Sequence, residues 1–274
     1  MAPAVGLLVV WMIVPLVLTL WYSAQNYNLL TPPPTFSGLD NYYYLLTDPD
    51  LLAIVWNTLV LVVAALVVTI VCGVLIAVLF DEPFRGRGIA RLLVIAPFFV
   101  MPTVSALVWK NLLMHPVYGL FAWIMKSVGL KPIDWFTDHP MMAIVIIVSW
   151  EWIPFATLIF LTSLQSLDRE QVEAARMDGA GPIATFIFVT LPHLARPIAV
   201  VFMLETIFFL AIYAEILVTT VGGPGVATTN IPFFIYSRAL LGFDVGVASA
   251  GGIFAIVIAN IIALFFVRAI ARQL

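Results

Sequence analysis

Charge is what this sequence has least of. Only 10% of its 274 residues are Asp, Glu, Lys or Arg, and 63% are hydrophobic, whereas soluble domains carry about 25% charged residues. With a mean hydropathy of +1.12, the chain belongs in a bilayer. The single cysteine, Cys72, excludes an internal disulfide and a thiolate metal cluster; inside an apolar run it reads as a small buried hydrophobe. No GxxxxGK[ST] loop is present, and GRGIAR at 86–91 does not approach one, so the chain carries no phosphate cradle of that kind. His115, His139 and His193 stand in no ligand or acid-paired spacing and read as surface residues, and neither a metal quartet nor a GxSxG elbow accompanies them. An enzyme, a resident cofactor and a nucleic-acid partner are therefore not expected.

What is there is a set of long oily runs. A hydrocarbon core about 30 Å thick needs roughly 20 apolar helical residues, and six stretches qualify: 4–23, 53–80, 92–112, 141–165, 198–220 and 246–267. The connections between them are short and lack core patterning, so one all-α membrane domain over 1–274 is expected. MAPAVG has no basic residue ahead of the first run, and that run is too long and too Trp/Tyr-tipped for a signal peptide, so it reads as an uncleaved first span.

Basic residues orient the bundle, because short basic loops stay in the cytoplasm. Eight fall on one side: Arg85, Arg87 and Arg91 after the second run, Arg169, Arg176 and Arg196 after the fourth, Arg268 and Arg272 after the sixth. Four, Lys110, Lys126, Lys131 and Arg238, fall on the other. Both termini are thus expected in the cytoplasm. Within the spans, Ala65, Thr69, Gly73 and Ala77 recur every four residues, and Gly246, Ala248, Ala250 and Gly252 form a second small-residue set; both are expected as close-packing seams. On the outer side, a Pro-rich entry leads to an interfacial helix around Tyr42–Leu46, FAWIMKSVGL reads as a short surface helix, and the stretch after GGPG is apolar but too short to cross.

One polar insert interrupts this pattern at SLDREQVEAARMDGAGP. Ser166 or Asp168 fits an N-cap, Glu170 the first turn, Ala174 and Ala175 the helix body, and Gly179 the left-handed position that ends it. Pro182 suits the first turn of a second helix, with Gly179 or Gly181 at the turn between them. A helix of about ten residues with no long apolar face is marginal by itself, so a partner protein is expected to hold it.

EAARMDGA followed by Leu191 and Pro192 resembles the EAA signature of ABC importer permeases, with Glu173, Ala174, Ala175, Gly179, Leu191 and Pro192 at matching positions. WEWIPF at 150–155, SLQSLDRE at 163–170, GGPG at 222–225 and VGVASAGG at 245–252 are similar to the sugar and polyol branch, the maltose-type permeases. The resemblance implies a six-helix type I importer fold in a bacterial inner membrane. The loop over about 166–192 would carry a coupling helix for a cytoplasmic ATPase dimer, with Glu173 as polar contact, Ala174 and Ala175 as close-packing face, Asp178 beside them and Gly179 as turn. A second permease, a solute-binding protein and a sugar or polyol substrate complete the implied set, with ATP consumed by the partner subunits.

Three acids fall inside expected spans: Glu151, Glu205 and Glu215. An ionised acid at mid-bilayer costs about 2.5–3.5 kcal/mol, so each should face the bundle interior or a cavity. Carboxylates and aromatic faces suit sugar hydroxyls and C–H faces, which makes Glu205, Tyr213, Glu215, Glu151 and Trp152 the candidate substrate path. Glu151 precedes Pro154 and also fits a role at a helix kink. The alternative is a self-sufficient ion-coupled carrier using the same glutamates.

Overall fold

The computed structural model describes the backbone at 2–31 and 33–271 and side chains at 5–31, 33–168 and 170–262. Arg272 and the side chains of Arg169 and Arg268, three of the basic residues used for orientation, lie outside the described residues. Among the described residues five helices are long and apolar enough to cross a membrane, or six if a bent pair counts as one span. The chain forms two compact units, residues 60–209 and residues 1–59 with 210–274.

In the 60–209 unit, the part of the helix Leu51–Asp81 that follows residue 59 packs through its expected seam. Ala65, Thr69 and Ala77 are wholly buried, and a Cβ added to Gly73 would lie 2.8 Å from the Ala156 methyl. The seam therefore sets the approach of this helix to Pro140–Leu164. Val74, Phe80, Phe160, Leu161, Leu194 and Val201 fill the core around that contact.

The third span departs from the straight helix expected over 92–112. Helices covering Arg87–Phe99 and Pro102–Leu113 meet at 109°. The ring of Pro102 clashes with a helical residue before it, and Met101 is accordingly extended at φ −63°, ψ 135°. The fifth span is also displaced: its helix runs from Pro182 to Phe209 rather than over 198–220. A turn of π-helix at Phe186–Thr190 lies within it. Pro192 has no N–H to donate, and the wider turn before it, where the Leu191 N–H reaches Phe186, absorbs that missing bond.

In the other unit, the helix Ala2–Ser23 packs against Val245–Ala271 and exposes Leu7, Trp11 and Met12, an apolar surface fit for lipid. A short ribbon pairs Gln25 with Phe36 and Asn26 with Thr35. Asn41, in the interfacial helix Asp40–Leu46, donates from Nδ2 to the carbonyls of Ser23 and Gln25 at 2.9 and 2.7 Å. A Cβ on Gly246 would collide with the Gln25 carbonyl and the Asn41 amide, so the small-residue start of the last helix is where the chain crosses that junction. Leu45, Ile54, Ile231 and Phe234 form the core of this unit.

Candidate coupling loop and intramembrane polar sites

The polar insert is a helix closed at both ends by its own residues. Asp168 is the N-cap, its side chain accepting from the Glu170 N–H at 3.0 Å. The helix Arg169–Met177 ends at Gly179, whose φ is +85°. The Gly179 N–H donates to Arg176 and the Ala180 N–H to Ala175, each at 3.0 Å, the paired bonds of a Schellman stop. Gly181 then leads into Pro182 at the first turn of the next helix, so the second helix of the insert is the beginning of the fifth span.

Those caps hold the helix while little else does. Glu173, Ala174, Asp178 and Gly179 are exposed and Ala175 is half-buried, while Met177 is 88% exposed. Its ion pair, Arg176 with Glu82 at 4.0 Å, is itself solvent-exposed and contributes little. At the foot of the insert, His193 Nε2 donates to the Ser163 carbonyl at 2.9 Å and ties its two ends together. This corrects the surface reading of His193: the ring is half-buried. Leu191 and Pro192 remain exposed.

The intramembrane acids are all buried, as their cost in hydrocarbon requires: Glu151, Glu205 and Glu215 are 4%, 0% and 3% exposed. Glu205 lies in the 60–209 unit, where the Thr69 hydroxyl donates to its Oε2 at 2.5 Å and its Oε1 is buried without a hydrogen bond. Thr69 reads in the sequence only as a small seam residue. Its hydroxyl turns the seam into the acid's partner. Trp152, in the same unit, sits among the rings of Phe98, Phe155, Phe208 and Phe209. Tyr213 and Glu215 belong to the other unit, where Tyr213 stacks on Tyr236 at 5.2 Å.

Sequence reasoning missed a second polar cluster, around the GGPG turn. Asn230 is wholly buried; its Nδ2 donates to the Ile212 carbonyl at 2.7 Å and its Oδ1 accepts from the Phe233 N–H at 2.9 Å. One side chain thus caps the helix Ile231–Tyr236 and engages the carbonyl at the break after Phe209. Asn57 Nδ2 donates to the carbonyls of Val226 and Thr229, and the Thr58 hydroxyl accepts from the Ile231 N–H. The available signal was Asn-Ile-Pro at 230–232, an N-cap residue two positions before a proline.

Residues 70–274 match the family described as binding-protein-dependent transport system inner membrane component. The chain belongs to that family. This permease is 36% identical over 251 residues to a probable ABC transporter permease protein, y4oQ, of Sinorhizobium fredii, covering 90% of this chain and 81% of the relative. It is 33% identical to the trehalose/maltose transport system permease protein MalF of Thermococcus litoralis, covering 90% and 84%. Its fold superposes with a TM-score of 0.81 and 22% identity on a chain of a bacterial alginate ABC transporter, solved in complex with alginate pentasaccharide-bound periplasmic protein, over 97% and 90% of the two chains. The permease is an inner-membrane transport component and not an enzyme, and membership of this family displaces the ion-coupled carrier reading.

Proposed function

We propose that this permease lines half of the path by which a sugar or sugar alcohol enters the cell, paired with a second permease and fed by a solute-binding protein. The trehalose and maltose named for one relative support that substrate class, and so does the presence of buried carboxylates and stacked aromatics, which suit polyhydroxylated solutes. The whole of 1–274 acts as one permease domain. Glu205, Glu151 and Trp152 in one unit and Tyr213 and Glu215 in the other contribute to the path.

The observation that carries the reading is the exposed helix Arg169–Met177, capped at both ends and bare on its outer surface. A cytoplasmic ATPase dimer grips it: Glu173 makes the polar contact, Ala174 and Ala175 allow close approach, Asp178 and Gly179 shape the exit, and Leu191 and Pro192 begin the stiff continuation. ATP binding and hydrolysis in that dimer move the loop, and because the insert passes directly into the helix ending at Phe209, its displacement is delivered to the span that holds Glu205. Both termini lie on the ATPase side.

The test is reconstitution. Vesicles holding the complete set of subunits should take up labelled maltose, trehalose or a polyol only with ATP inside and binding protein outside, and this permease alone should move none. Uptake by the permease alone would overturn the reading.

A further inference from the structure

Arg87 and Arg91 stand where the second span ends and the third begins, and they meet different surroundings. Arg87 and Arg176 line a cavity of about 420 Å³ whose walls include the acids Asp81, Glu82 and Glu173, so positive charge there faces carboxylates. Arg91 instead lines a separate cavity of about 250 Å³, with Phe80, Ile95, Thr157, Leu158, Leu161, Thr162 and Gln165. It is the only charged residue in that wall, and among the described residues it makes no ion pair. Its Nη2 donates to the Phe80 carbonyl at 2.9 Å, which closes the end of the helix Leu51–Asp81. Its Nε, like that of Arg87, is buried and makes no hydrogen bond; what sets Arg91 apart is the lack of any acid in its wall.

A guanidinium at the rim of an apolar pocket has a definite complement. A phosphate accepts two parallel bonds from the planar fork, and basic pockets between spans at the membrane surface hold anionic headgroups. The walls of this pocket come from segments at one end of their spans: the last turns of Leu51–Asp81 and Pro140–Leu164, the cap residue Gln165 and the helix Arg87–Ile95. The pocket therefore lies at the level of the headgroups on the side of the polar insert. Ile95, Leu158 and Leu161 offer an acyl chain the apolar surface that water would not wet, and Thr162 is unavailable as a donor because its hydroxyl already serves the Leu158 carbonyl. We propose that this pocket is a binding site for an anionic glycerophospholipid, its phosphate on Arg91 and the start of an acyl chain along Ile95 and Leu158. The proposal goes beyond the transport reading and depends only on membership of the inner membrane.

The intact transporter, held in mild detergent, is titrated with phosphatidylglycerol or phosphatidylethanolamine, and lipid retention is read by native mass spectrometry. Arg91→Gln should weaken phosphatidylglycerol retention about tenfold, the scale of one charge-assisted hydrogen bond, and Leu158→Trp should do the same by filling the apolar wall. Phosphatidylethanolamine, whose ammonium cancels the charge of the same phosphate, should be retained more weakly than phosphatidylglycerol by the native protein. Leu158→Trp leaves Arg91 and its bond to Phe80 in place, so the result does not hinge on whether Arg91→Gln folds. Unchanged phosphatidylglycerol retention in Leu158→Trp would overturn the site. So would equal retention of the two lipids by the native protein, or displacement of the lipid by glycerol phosphate at the same concentration, which would mean that the apolar wall is unused.

Discussion

Two glycine-rich interruptions break the apolar pattern, and they are built in opposite ways. Gly179 and Gly222 have almost the same backbone, φ +85° and φ +84°. Around Gly179 nothing approaches within 4 Å of where a Cβ would stand, whereas at Gly222 a Cβ would collide with Thr229 and Phe233. The first turn is held only by its own caps. The second is held by the Thr228 N–H and the Thr229 hydroxyl, which both donate to the Gly222 carbonyl, and by Asn57, which donates to the Val226 and Thr229 carbonyls. A turn that stabilises itself and leaves its surface bare is available to a partner, whereas a turn packed against Thr229 and Phe233 and bonded by side chains of other elements is part of the frame.

The contrast sets a ladder of expected effects on the thermal stability of the detergent-solubilised permease. Gly222→Ala should cost most, about 3–4 kcal/mol, because left-handed strain of about 1–2 kcal/mol adds to overpacking of about 1–3 kcal/mol. Asn230→Ala should follow at about 2–3 kcal/mol, since the Ile212 carbonyl and the Phe233 N–H are then buried without partners. Gly179→Ala should cost only about 1 kcal/mol, the strain alone. Glu173→Ala should stay within about 0.5 kcal/mol of the native protein, as an exposed residue outside any structural contact does. Equal losses at Gly179 and Gly222 would erase the distinction.

The two interruptions were also unequally legible in the sequence. The exposed one is local: Ser166 or Asp168, Gly179 and Pro182 announce an N-cap, a stop and a restart by chemistry that acts within a few residues, and the structure takes Asp168 for the cap and uses the other two as read. The buried one depends on partners more than 150 positions away, such as Asn57 for Val226, and no local pattern reports such a bond. The same limit explains the spans. Hydropathy finds oily segments but cannot see the break after Phe209, where no proline stands and the Ile212 carbonyl is engaged by Asn230. The bend at Met101–Pro102 was written in the proline yet outweighed by the length of the apolar run. Burial of Glu151, Glu205 and Glu215 followed from the cost of charge in hydrocarbon. That Thr69 answers Glu205 followed from nothing the sequence displays.

If the bare helix exists to be gripped, the ATPase should copurify with the intact membrane assembly of the native permease and not with that of Glu173→Ala. The variant should melt at the native temperature and lose most of its ATPase. Full retention of the ATPase by a normally folded Glu173→Ala permease would contradict that role.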